Sequence, residues 1–161
     1  MRSPQLETRY LWFFRHGRAD WPDWERSDDD RPLTKKGRRE VKRVVRFYRR
    51  LPHQPDLILT SPLPRAWETA KIAADKLGID LREMKTLSPG FKAKSLPGLL
   101  EAIESKSVML VGHEPDFSEA IEQLAGGRVK LPKGGLALVR LTGEEATLLA
   151  LLPPSLAKDG R

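Results

Sequence analysis

Apolar residues along the chain fall into two kinds of run. Tyr10–Phe14, Asp56–Thr60 and Val108–Val111 are short, continuous and closed by polar or glycine residues. That is the pattern of strands buried on both faces. Between them the apolar positions spread out to helical spacing. Val41, Val44, Val45 and Tyr48 form one stripe, and Ala66, Ala70, Ala73 and Leu77 a second. Leu96, Leu99, Leu100 and Ile103 form a third, and Phe117, Ala120, Ile121 and Leu124 a fourth. Each predicts an amphipathic helix. Thr34 stands where the first helix needs a side-chain cap. Ser61 opens the second in this reading, with Pro62 at the first helical position, where a missing N–H is harmless. Leu136–Leu141 and Thr147–Leu152, separated by Thr142-Gly143-Glu144-Glu145-Ala146, predict an antiparallel hairpin. Leu81–Met84 is read as one more short strand.

Strands that alternate with helices pair in parallel, because a parallel neighbour is reached only through a crossover. The expected fold is therefore α/β: a three-layer α/β/α sandwich with a mostly parallel central sheet and an antiparallel C-terminal hairpin. With 161 residues and no obvious linker, a single domain over 1–161 with its core at about 10–152 is expected. A chain of that length buries roughly two-thirds of its unfolded surface.

Composition narrows the class. The chain is 39% hydrophobic and 32% charged, as globular proteins are, and its apolar runs are too short to span a bilayer. Met1–Thr8 is polar and lacks the apolar core of a secretory signal. A cytoplasmic protein without membrane contact is expected. There is no cysteine, which excludes disulfides, thiolate nucleophiles and thiolate-bound metals. The net charge of +7 is unevenly placed. Thr34–Arg50 holds nine basic residues against Glu40 alone, directly after an acidic loop containing Asp20, Asp23, Glu25, Asp28, Asp29 and Asp30. A solvated basic helix face is the simplest reading, and docking of an acidic protein is the next.

In parallel α/β sheets, ligands bind where loops leave the carboxyl ends of the strands. Three such loops carry Arg15-His16-Gly17, Ser61-Pro62-Leu63-Pro64-Arg65 and Gly112-His113-Glu114-Pro115. Two arginines and two of the chain's three histidines thus converge on one edge. An arginine fork matches two phosphate oxygens and stays charged. Arg15 and Arg65 are positioned to hold a phosphoryl group, with Arg65 in the first turn of its helix, where free N–H groups favour anions. Guanidinium charge keeps a nearby histidine neutral, so His16 can attack phosphorus and divide a difficult displacement into two steps. Gly17 permits a close approach of the backbone to the phosphate, and His113 donates to the phosphoryl oxygens. His53, between Pro52 and Gln54, is read as uninvolved.

These segments, together with Arg31-Pro32-Leu33-Thr34-x-x-Gly37 and the continuation Ala66-x-x-Thr69-Ala70, resemble the histidine phosphatase superfamily. The resemblance is nearest to its SixA-like branch of phosphohistidine phosphatases. It runs from about Tyr10 to Leu152, with the motifs in order. It implies a mechanism without cofactor or metal, His16 transiently phosphorylated, and Arg15, Arg65 and His113 forming a pocket that also accepts a phosphate or sulfate ion. Phosphoglycerate mutase-like relatives carry a glutamate, the acid for an alkoxide leaving group, in the loop after the third strand. Here that region reads Thr86-Leu87-Ser88-Pro89-Gly90, without a carboxylate. A phosphohistidine needs less help, since its imidazole can leave neutral. The expected substrate is thus phosphohistidine in a protein such as a phosphotransfer domain, with Asp20, Glu114 and Asp116 the carboxylates left as candidates to reach the site.

Three other readings are weighed. A broad phosphomonoesterase would act on small phosphorylated metabolites. A non-catalytic polyanion-binding module would use the basic helix, but the chain has no nucleic-acid motif or aromatic-studded basic face. A metal hydrolase would need His16, His113, Asp20 and Asp116 as ligands, against the repulsion of two arginines.

Overall fold

Successive side chains of a strand point to opposite faces of a sheet, and the first strand uses both. In β1 (Thr8–Arg15), Leu11 and Phe13 enter one hydrophobic layer, while Trp12 and Phe14 enter the other. All four are at most 1% exposed. Burial of each such side chain is worth about 1.5–3 kcal/mol. The computed structural model describes residues 7–157.

The elements follow in chain order: β1, α1 (Lys35–Tyr48), β2 (Leu57–Thr60), α2 (Pro64–Leu77), β3 (Asp80–Glu83), α3 (Leu96–Glu101), β4 (Ser107–Gly112), α4 (Asp116–Ala125), β5 (Leu136–Thr142) and β6 (Glu145–Leu152). A 3₁₀ turn at Asp28–Asp30 lies between β1 and α1. The six strands form one sheet in the order β3-β2-β4-β1-β5-β6. The first four in that order are parallel; β5 pairs antiparallel with β1, and β6 antiparallel with β5. Helices α1 and α2 cover one face and α3 and α4 the other, which is the anticipated α/β/α sandwich.

Local chemistry accounts for the differences in element ends. Helix α2 begins at Pro64, not directly after Ser61, and Leu63 holds an extended conformation (φ −64°, ψ 139°). A residue preceding proline is pushed out of the helical region, so Pro64 rather than Pro62 occupies the first helical position. The hairpin loop shrinks to Gly143-Glu144, with Thr142 opposite Glu145. Gly143 supplies the positive φ of 61° that so tight a connection requires. Helix α3 stops at Glu101, short of Ile103, which is still buried among the same core residues.

Candidate active site

The sheet register brings the three loops together. Arg15 pairs with Gly112 across β1 and β4, and Thr60 with Val111 across β2 and β4. Beyond the last pairs, the His16 amide donates to Gly112 O (3.1 Å) and the Ser61 amide to Val111 O (3.0 Å). The imidazoles of His16 and His113 lie with ring centroids 5.3 Å apart. Both are buried, as is Arg65.

His16 has a defined tautomer. Its Nδ1 lies 2.7 Å from Gly17 O, and since a carbonyl only accepts, Nδ1 carries the hydrogen. Nε2 is left with a lone pair, toward which Arg65 Nε points at 3.4 Å. Burial lowers the His16 pKa to about 3, assisted by the charges of Arg65 and Arg15. The ring is therefore neutral at physiological pH, with the unprotonated nitrogen beside the guanidinium.

His113 presents the complementary case. Its Nε2 is 2.8 Å from Ser61 Oγ, and the Leu63 amide donates to that same oxygen (3.2 Å). The Ser61 hydroxyl can then give its hydrogen to Nε2, and in that tautomer Nδ1 carries the ring hydrogen. Nδ1 is buried and has no hydrogen-bond partner. Burial, together with Arg65 and Arg15, lowers the His113 pKa to about 4.

The two arginines are anchored differently. Arg15 donates from Nη1 to Leu131 O (2.9 Å), and its buried Nε is unpaired. Arg65 occupies the first turn of α2 and donates from Nη1 to Asp28 O (3.0 Å), with its Nη2 3.9 Å from Asp29 Oδ1. Burial lowers the pKa of both guanidiniums while nearby carboxylates oppose the shift. Each remains cationic.

Gly17 is required by packing. A Cβ there would lie 2.5 Å from Val41 Cγ2 on α1, and its amide donates to Thr69 Oγ1 (3.0 Å). The glycine thus admits the helix. Thr69 in turn donates to Arg65 O (2.7 Å), linking the His16 loop to α2. The stretch from Arg31 to Gly37 braces the other side. Arg31 donates to Ala19 O, the Thr34 amide to Arg18 O, and a Cβ on Gly37 would meet Arg18 O at 2.2 Å.

Ser61, Thr69 and the Asp28–Asp29 strap were not singled out as site residues from the sequence. Ser61 and Thr69 stand inside the quoted motif. Asp28 and Asp29 sit in the acidic loop, whose return onto Arg65 has no sequence signal. The carboxylates proposed as reaching the site each have a partner of their own, and the charge of Glu114 also acts on Arg15. Asp116 Oδ2 accepts from the Gly90 amide (2.8 Å), Glu114 from the Ser118 amide and hydroxyl, and Asp20 from Lys133 (3.4 Å). His53 stacks on Tyr10 with centroids 3.9 Å apart, and its carbonyl accepts from Trp12 Nε1 (2.8 Å). It lies before β2, at the far end of the parallel strands.

Two arginine guanidiniums, that of Arg65 buried and that of Arg15 partly so, a lone-pair nitrogen and the unpaired Nδ1 of His113 therefore share one sheet edge, an arrangement suited to a tetrahedral anion. Comparison with known proteins agrees. The model of the histidine phosphatase superfamily (branch 1) matches residues 11–88. An uncharacterized protein of Picosynechococcus is 39% identical over 142 residues, covering 81% of this chain and 84% of that protein. An uncharacterized chloroplastic protein of Arabidopsis thaliana is 28% identical over 158 residues, covering 89% and 72%. Among solved structures, the Agrobacterium tumefaciens protein assigned as the phosphohistidine phosphatase SixA is 26% identical. It has a TM-score of 0.77, with 91% of this chain and 98% of that chain covered. The protein histidine phosphatase SixA complexed with tungstate has the same fold, at 24% identity, TM-score 0.82 and coverage of 92% and 99%.

The chain belongs to the histidine phosphatase superfamily, in its SixA-like branch. Its broad activity is that of a phosphatase. Among the described residues, no helix is long and apolar enough to cross a membrane.

Proposed function

We propose that this phosphatase removes phosphate from phosphohistidine in proteins, by way of a phosphorylated His16. The observation that carries the reading is the fixed tautomer of His16, with Nδ1–H on Gly17 O and the Nε2 lone pair beside Arg65. In the first step, Nε2 attacks phosphorus and a new P–N bond forms as the bond to the substrate nitrogen breaks. If the other nitrogen of the substrate ring carries a hydrogen, the departing imidazole is neutral and takes the bonding pair without an added proton. Arg15 and Arg65 offset the charge on the equatorial oxygens, and His113 Nδ1–H donates to one of them. In the second step, water attacks phosphorus and the P–N bond to His16 breaks. His16 keeps its Nδ1 hydrogen on Gly17 O throughout, so it too leaves as a neutral imidazole. The water proton passes to the released inorganic phosphate or to solvent. Gly17 serves this pocket through its fit against Val41, which sets where His16 stands.

The hydrogen bonds that hold Asp116 and Glu114 support a leaving group that needs no acid. One observation favours a second reading. Asp29 Oδ1 lies 3.9 Å from Arg65 Nη2, and that guanidinium favours the ionised carboxylate. Asp29 would therefore serve an alkoxide, as in a small-molecule phosphomonoesterase, only after taking up a proton once bound phosphate offsets the charge of Arg65.

Turnover of a phosphohistidine peptide against p-nitrophenyl phosphate and sugar phosphates separates the two. The proposal expects kcat/KM for the peptide to exceed that for sugar phosphates by at least about tenfold, and Asp29→Asn to leave peptide turnover within about threefold. Preferential turnover of sugar phosphates, lost in Asp29→Asn, would establish the phosphomonoesterase instead.

A further inference from the structure

Beside the catalytic edge lies a second opening, of about 550 Å³, lined by Arg15, Arg18, Glu40, Arg43, Lys133 and Ser155 among others. Four cationic side chains there face one carboxylate. Glu40 cannot satisfy them. Arg18 Nε (3.5 Å) and Arg43 Nη2 (3.9 Å) both approach its Oε2, while its Oε1 is buried and unpaired. Lys133 reaches Asp20 at 3.4 Å, an exposed and therefore weak pair. Among the described residues, four buried side-chain polar atoms lack a hydrogen-bond partner. Three of them, Arg15 Nε, Glu40 Oε1 and Arg43 Nε, belong to residues of this opening, and the fourth is His113 Nδ1. Buried polar atoms are nearly always paired, and two of these three, Arg15 Nε and Arg43 Nε, are cationic donors left without an acceptor.

A neighbouring opening of about 450 Å³ shares Glu40 and Arg43 and is extended by Lys36 and Arg39. The two form a continuous basic track, from Arg15 at the phosphoryl pocket along the exposed side of α1. Arg15 joins the track to the chemistry, since its charge acts on both His16 and His113. A second anionic group on a small substrate would occupy only the first opening. The continuation to Lys36 and Arg39 fits an extended chain bearing several carboxylates. Neither opening is lined by an aromatic residue, so neither offers the stacking platform that single-stranded nucleic acid uses.

We infer that this track docks an acidic segment next to the phosphorylated residue of a protein substrate. The inference rests on the protein-phosphohistidine reading above and adds the chemistry by which such a substrate is recognised. Its test compares two phosphohistidine peptides, one with three flanking glutamates and one with glutamines at the same positions, on wild type and Lys36→Glu/Arg39→Glu. Both substituted residues are exposed, and Lys36→Gln/Arg39→Gln serves as a milder second variant. Wild type should prefer the glutamate peptide at low salt. The charge reversal should lower the ratio of the two kcat/KM values by about tenfold, through KM, the size expected when two exposed attractions become repulsions. The preference should also fade as salt screens it. An unchanged ratio, or tighter binding of a single-stranded oligonucleotide of equal charge than of the unphosphorylated glutamate peptide, would overturn the inference. If wild type hydrolyses neither phosphohistidine peptide, the reading of the reaction fails. The track is then decided by fluorescence anisotropy of the unphosphorylated glutamate peptide, which must bind wild type more tightly than the reversed variant.

Discussion

At the scale of single residues, the site depends on two histidines kept neutral by burial and by neighbouring guanidiniums. Their pKa values of about 3 for His16 and about 4 for His113 lie below the ordinary histidine value of about 6.5. The unfolded chain therefore binds more protons than the folded one once the pH falls below about 6.5. Stability linked to these rings is fully present above that pH and is lost as pH drops toward 4 and 3. Between pH 7 and pH 5 the loss is on the order of 1–2 kcal/mol per histidine. Urea unfolding of wild type and His16→Gln at both pH values should show a smaller acid loss in the variant. An equal loss would mean that His16 titrates normally. Ser61 is a positioning residue for His113: removing its hydroxyl leaves His113 Nε2 without a partner and frees the ring to change tautomer. Ser61→Ala should lower kcat for p-nitrophenyl phosphate about tenfold, the size of one lost buried hydrogen bond of about 1–3 kcal/mol, with KM little changed. Ser61→Thr, which keeps a hydroxyl, should recover most of it. The meeting of His16, His113, Arg15 and Arg65 at one sheet edge was legible in the sequence, because each stands at or just after the carboxyl end of a parallel strand. Ser61 was legible only as a helix start, because its hydroxyl could equally cap a helix. Its partner was set by the extended Pro62-Leu63 segment ahead of Pro64.

At the scale of elements, the helices act as rulers that fix where the loops stand. Helix α1 can approach the His16 loop only because Gly17 and Gly37 lack side chains there. Gly37→Ala would place a methyl 2.2 Å from Arg18 O, a backbone atom with little room to yield. Alanine would otherwise favour a helix by roughly 1 kcal/mol. The clash should outweigh that gain and give a net loss of about 1–3 kcal/mol, readable as a lower urea midpoint. A more stable variant would show that α1 can slide away from Arg18. The helical stripes and buried strands were readable from apolar spacing, since each element buries one well-defined surface. Their ends were less so. The start of α2 turned on which of two prolines took the first helical position, and the hairpin loop on a single positive φ at Gly143.

At the scale of the whole molecule, parallel crossovers gather loops distant in the chain onto one edge, and the two-sided core holds that edge still. The order β3-β2-β4-β1 places the His16, Arg65 and His113 loops side by side, although nearly a hundred residues separate the first from the last. The parallel sheet was predictable from alternation. The strand order was not, because either neighbour of β1 would satisfy the same apolar pattern. Nor does the basic run in α1 by itself say which of its charges line openings near Arg15, as this depends on how the helix is rotated against the Gly17 loop. The central claim is that phosphate rests on His16 between two displacements, and brief reaction with a ³²P-labelled substrate followed by alkaline quenching tests it directly. Wild type should carry label that is stable to base and lost in acid, mapping to the peptide containing His16, and His16→Ala should carry none. Label of the same kind on His16→Ala, or wild-type turnover with no trapped phosphoenzyme and equal activity in the variant, would contradict the account.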